Sequence, residues 1–193
     1  MSYLDVSLRD FLDAVASRGP APGGGCAAAV TVAMAAGLVA MAARLSPDLP
    51  DGERLVVDAE RIRRRSGDLA DADAEAYGKV LATLSATRAS EPAEKRQRLR
   101  EAFEAAALVP LEVAELGTDT SRLAALLFAG GNPSLRGDAA TAAYVAEAGV
   151  RSAAALVRIN VESGECDPAL LTRAARCTAA ADEALRSVRA QLA

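Results

Sequence analysis

The chain contains no histidine. Proton transfer must therefore fall to carboxylates, two lysines, three tyrosines and three cysteines. The same absence removes His-dependent nucleophilic arrangements and every His-containing zinc site. Two carboxylates stand out. Asp73 and Tyr77 lie four residues apart on one helix face, beside Ala76 and Val80, where burial would raise the carboxyl pKa. Asp138 follows the turn-forming stretch from Gly130 to Gly137, which includes Asn132 and Pro133. It can cap the next helix, bind the amidine-like edge of a heterocycle, or activate a water. A third feature is Pro20-Ala-Pro22-Gly23-Gly24-Gly25-Cys26, which leads straight into an uncharged Ala-rich segment. Three adjacent glycines cost backbone entropy. A helix N-terminus offers free N–H groups and the positive end of a dipole. The turn is thus either a cradle for an anionic or polar ligand or a tight helix–helix corner. Asn160 sits late in an apolar helix and needs partners if it is buried. It shares a helix face with Asp138 but lies about 33 Å along the axis. The two serve one site only if that helix breaks or a dimer brings them together.

Other chemistries are disfavoured. Cys26, Cys166 and Cys177 have no metal-ligand spacing and are an odd number for a disulfide framework. No metal site is expected, and a reducing, cytoplasmic setting fits best. A net charge of −4 argues against nucleic acid as a partner. Arg61, Arg63, Arg64 and Arg65 read as a solvated helix face. Met1 to Asp5 lacks the basic start of a signal peptide. Cys26 to Ala43 is 18 residues without a charge, but alanine drives membrane insertion weakly, so a buried helix is expected rather than a span.

The elements that must position these residues are all helical. Ser7 and Asp10 form a capping pair for a first helix with an apolar stripe of Leu8, Phe11, Leu12 and Val15. A second helix runs from about Gly24 to Leu45, where Pro47 and Pro50 break the chain. A third runs from about Asp51 to Ala86, with Leu55, Ile62, Leu69, Ala76, Val80 and Leu84 recurring at helical spacing. Ser90-Glu91-Pro92 opens a fourth, which kinks at Pro110 and ends near Leu116. Ser121 to Phe128 is a short helix, Asp138 caps a long one to about Glu162, and Asp167-Pro168 caps the last, to about Gln191. The expectation is one all-α domain over residues 1–193, an up-and-down antiparallel bundle of six or seven helices. The second helix is apolar all round and should be buried on every side. One layer of helices can hardly bury it so fully, so a homodimer is expected with that helix near the interface.

Taken together, these motifs resemble the cyclodeaminase/methenyltetrahydrofolate cyclohydrolase family. The glycine turn is similar to that family's Pro-Thr-Pro-Gly-Gly-Gly-Ser, with Ala21 and Cys26 in place of the two hydroxyl residues. Asp73-Ala-Glu-Ala-Tyr77, Val109-Pro-Leu-Glu-Val113, Gly131-Asn132 through Asp138-Ala139, and Val157-Arg-Ile-Asn160-Val161 resemble its remaining segments in the same order. The lysines usual after the family's second and third helices are absent; Lys79 and Lys95 are the chain's two lysines.

The resemblance implies an all-helical homodimer that binds a reduced folate near the glycine turn and needs no cofactor. It implies hydrolysis of 5,10-methenyltetrahydrofolate to 10-formyltetrahydrofolate. Cyclodeamination of 5-formimino-tetrahydrofolate is the alternative, as is a diverged member that binds folate without turnover or acts on another heterocyclic or iminium-like substrate. The chain carries no recognisable formiminotransferase segment, which favours the cyclohydrolase. Pterin or water contact is assigned to Asp138 and a second acidic role to Asp73. Pro22, Gly23, Gly24, Gly25 and Cys26 line the cradle, and Asn132 and Asn160 orient polar edges. Arg44, Arg88 or Arg158 meets the glutamate tail.

Overall fold

The protein is described by a computed structural model covering residues 2–88 and 91–192. Its α-helices are α1 (Leu8–Val15), α2 (Gly24–Arg44), α3 (Gly52–Ala86), α4 (Pro92–Gly130), α5 (Arg136–Gly164) and α6 (Ala169–Leu192), with a 3-10 turn at Pro133–Leu135. Successive long helices return antiparallel. Cys26 of α2 meets Ala70 of α3, whereas Arg44 meets Glu60. The up-and-down all-α bundle expected from the sequence is the observed fold.

The helices hold together through small-residue contacts. α2 packs on α3, α4 and α5, and eleven of its residues are buried. Gly117 of α4 explains why the fourth helix does not stop near Leu116. A Cβ there would come within 2.7 Å of Val150 and 3.1 Å of Val32. The bare backbone lets α2, α4 and α5 close on one another. Thr118, Thr120 and Ser121 then return their hydroxyls to the carbonyls of Ala114, Leu116 and Gly117. Their polar groups are thereby satisfied inside the helix. The separate helix expected from Ser121 is the last quarter of α4, and α4 also runs on through Pro110.

Three further expectations are corrected. Asp138 is not an N-cap. The 3-10 turn brings α5 in early, so Leu135 caps it and Asp138 falls in the first turn. Of the α1 stripe only Phe11 is buried; Leu8, Leu12 and Val15 stay exposed. The Ser7–Asp10 pair does cap that helix. Nor is α2 buried on every side. Ala27, Val30, Met34, Leu38 and Met41 form an open stripe, with Met34 55% exposed at its centre. By length and composition α2 is apolar enough to cross a membrane, yet here it is the packed core helix of the bundle. The Ser90 cap lies outside the described residues. Asp167 receives the Ala169 N–H at 2.8 Å, as the last helix requires.

Candidate functional site

The turn before α2 delivers the chain through a cis Ala21–Pro22 bond to Gly23, the N-cap, which has no side chain to cap with. The first N–H groups of α2 therefore lack a local partner. Asp73, reaching across from α3, fills that place. Its carboxylate lies where a Cβ on Gly25 would be, so no other residue fits at position 25 without displacing it. The Cys26 backbone N–H donates to it. The Cys26 thiol lies 3.7 Å from Oδ2 and 3.0 Å from the Ala70 carbonyl.

Burial dominates the electrostatics here. It raises the Asp73 carboxyl above its ordinary range, and the hydrogen bonds from Cys26 only partly oppose it. Burial, with the Asp73 charge adding to it, pushes the Cys26 thiol up to about 11. The thiol is therefore a neutral hydrogen-bond donor at physiological pH, not a nucleophile.

Asp73 borders a pocket of about 300 Å³. Pro20, Ala21 and the three glycines form one side, Ala74 and Tyr77 of α3 a second, and Leu156, Ile159 and Asn160 of α5 a third, with Ala106 of α4 behind. Asn160 donates its amide N–H to the Ala106 carbonyl at 3.0 Å, which leaves its amide oxygen available as an acceptor. Asp73 is the one charged side chain in this lining; no lysine or arginine contributes. Among the described residues no cluster of acidic or cysteine side chains fits a metal ion. A carboxylate of raised basicity, an orienting amide and an exposed aromatic ring can hold a flat, cationic heterocycle and take a proton from water.

Residues 7–179 match the family model described as formiminotransferase-cyclodeaminase. The chain belongs to that family. A methenyltetrahydrofolate cyclohydrolase of Methylorubrum extorquens is 34% identical over 166 residues, spanning 81% of this chain and 79% of that relative. The formimidoyltransferase-cyclodeaminase of Rattus norvegicus is 33% identical over 171 residues, spanning 83% of this chain but 31% of its own length. The crystal structure of formiminotetrahydrofolate cyclodeaminase from Thermotoga maritima superposes with a TM-score of 0.86 at 30% identity, covering 96% of this chain and 95% of that one.

Within one protomer the fold brings together Gly23, Gly24, Gly25, Asp73 and Asn160. Pro22 and Cys26 are buried behind that wall. Asn132 and Asp138 lie at the far end, beyond α2's C-terminus, because α5 runs unbroken between Asp138 and Asn160. Asn132 donates to the Leu45 carbonyl at 2.9 Å and accepts the Ser134 N–H at 3.0 Å. Its own N–H goes to Ser46 Oγ at 2.8 Å. Arg88 and Arg158 are exposed and outside the pocket lining. Sequence reasoning left Tyr77, Leu156 and Ile159 out of the site. Tyr77 was within reach through its i,i+4 spacing from Asp73, and Leu156 and Ile159 through theirs from Asn160. Ala106 carries no such signal.

Proposed function

We propose that this protein hydrolyses 5,10-methenyltetrahydrofolate to 10-formyltetrahydrofolate at the glycine-turn pocket. The observation that carries the reading is Asp73: a half-buried carboxylate of raised basicity, alone in charge among the side chains lining a partly open pocket. The reacting carbon of the substrate bridges N5 and N10 as a cation. A carboxylate beside it attracts that cation and accepts a proton from the attacking water. The C–O bond forms as the water proton passes to Asp73. The tetrahedral carbon then expels N5, which keeps the electron pair of the C–N bond and takes the hydroxyl proton as the formyl C=O forms on N10. Asp73 releases its proton to solvent, so one proton is produced per turnover. Asn160 orients a polar edge, the glycine backbone lets the ring approach closely, and Tyr77 and Ile159 provide flat apolar contact.

Similarity to the M. extorquens cyclohydrolase across most of both chains supports this reading. The likeness to the T. maritima cyclodeaminase supports a second one, closure of 5-formimino-tetrahydrofolate with loss of ammonia in the same pocket. We further propose a homodimer, supported by the uncovered apolar stripe of α2, and a reducing cytoplasmic setting, supported by three buried unpaired thiols. Asp138 acts on the pocket only from a second copy, because its own protomer's α5 separates it from Asn160 at the pocket by about 33 Å.

Purified protein mixed with 5,10-methenyltetrahydrofolate should quench the near-UV absorbance faster than spontaneous hydrolysis. No acceleration and no folate-dependent thermal shift would overturn the reading. A thermal shift without turnover would make the protein a folate-binding module. Ammonia release from 5-formimino-tetrahydrofolate would select the cyclodeaminase. Loss of turnover in Asp138→Ala with helicity intact would place that carboxylate in the site across a dimer, and full activity would remove it.

A further inference from the structure

The open stripe of α2 has partly exposed, uncharged positions spaced symmetrically about its midpoint. Met34 is the central residue of Gly24–Arg44. Counting outward, Gly37 is matched by Thr31, Leu38 by Val30 and Met41 by Ala27. All are uncharged, all are incompletely covered by their own protomer, and several are small enough for two backbones to approach closely. A two-fold axis through Met34 would pair each residue with its match on an antiparallel α2. It would also set the N-terminal end of one α2 beside the C-terminal end of the other.

Those two ends differ in charge. The pocket at the N-terminal end carries Asp73 and no cation. At the C-terminal end Arg44 is 2.7 Å and Arg63 2.8 Å from Glu60, and Arg64 is 3.8 Å from the same carboxylate. Three guanidiniums share one acid, leaving excess positive charge on the rim of the stripe. A folate carries carboxylates on its glutamate tail, and the pocket of one protomer offers nothing to meet them.

We infer that a second copy of this chain packs antiparallel along α2 and lends its Arg44 to the glycine-turn pocket, where it meets the anionic tail of the folate. The inference rests on the folate reading above for the ligand, and on the stripe and the charge pattern for the partner. Each pocket is then built from two chains: the base Asp73 from one and the tail-binding cation from the other. Arg44 is offered by its position at the end of the stripe, and Arg63 keeps Glu60 paired when Arg44 turns to the ligand.

The interface is tested without folate. Met34→Cys, oxidised, should give a disulfide-linked dimer, since the three native thiols are buried. A monomer in sedimentation that fails to cross-link would overturn the arrangement. The contribution of Arg44 is tested by mixing two variants, Asp73→Asn and Arg44→Glu, each impaired alone. In a heterodimer one pocket keeps both groups, so random exchange of subunits in this two-fold dimer should restore about a quarter of wild-type activity at low substrate. No recovery despite cross-linking would overturn the role of Arg44. Arg44→Ala should raise KM by about tenfold, the worth of one charge-assisted hydrogen bond, while sparing kcat. The effect should vanish with a substrate lacking the glutamate; if it persists there, Arg44 does not bind the tail. A wild-type dimer that cross-links but leaves the methenyl substrate untouched would overturn the folate reading, and with it the tail contact, while the interface stands.

Discussion

The two ends of α2 are built from similar residues and do different things with them. Both join helices through glycine, proline and a polar side chain. At the C-terminal end the loop's Ser46 and Asn132 are bonded internally. Ser46 donates to the Ala42 carbonyl and accepts the Asn132 N–H, and the Asn132 amide ties Leu45 to Ser134. The Ser46 hydroxyl and the Asn132 amide thus act as a lock between α2 and the loop before α5. At the N-terminal end the cap comes from another helix, and its carboxylate is held half-buried beside an open pocket. Its basicity is raised because desolvation outweighs its hydrogen bonds. The lesson is that a glycine- and proline-rich turn is not itself a site. It becomes one where the group completing it remains chemically unfinished.

The comparison is broken most directly by exchanging the carboxylate. Asp73→Asn should lower kcat by about 10²–10⁴-fold, the usual worth of a positioned base. Its thermal midpoint at neutral pH should stay level or rise, because a half-buried, partly desolvated charge is removed. Gly25→Ala should come next. The new methyl must push the Asp73 carboxylate off the α2 N-terminus, costing about 1–3 kcal/mol of stability and most of the turnover. The opposite end should answer in the opposite currency. Ser46→Ala strands the Asn132 N–H and should destabilise by about 1–3 kcal/mol in denaturant titrations, with kcat per folded molecule nearly unchanged. A large loss of kcat there would erase the distinction between the two ends.

The pH dependence sharpens it further. The Asp73 carboxyl is raised above its ordinary 3.8, so the native state binds its proton more tightly than the unfolded chain does. Its contribution to stability is therefore fullest at low pH and declines as pH rises from 3.8 through the raised native value. Activity runs the other way, because the base must be ionised: kcat/KM should fall as pH drops through that same raised value. Asp73→Asn should abolish this acid limb. The smallest effect belongs to Cys26→Ser. A hydroxyl is a stronger donor to the carboxylate than a thiol, so it should move the acid limb to lower pH while changing stability by less than about 1.5 kcal/mol.

Much of this was legible in the residues. Proline breaks, caps and apolar periodicity located the long helices to within a few positions, except for the end of the fourth, which runs on to Gly130. Gly117 and the hydroxyls around it misled, because local propensity marks them as a break. Only the tertiary crossing of α2, α4 and α5 makes a bare backbone there favourable. The glycine turn and Asp73 were both visible, but not that one caps the other, since the contact spans 47 residues of sequence. Asn132 and Asp138 looked equivalent to the glycine turn because turn chemistry and site chemistry draw on the same residue types. The distance along an unbroken α5 is what separates them. Tyr77, Leu156 and Ile159 read as ordinary helix-face residues, and only the pocket gives them a role.

The central claim is that the chemistry resides at the N-terminal end of α2, with Asp73 as its base. The most direct test follows the decay of 5,10-methenyltetrahydrofolate absorbance with wild type and with Asp73→Asn, side by side, at matched concentration and confirmed helicity. Wild type should accelerate the decay well above the spontaneous rate, and Asp73→Asn should return it close to that rate. Equal acceleration by both proteins would contradict the account.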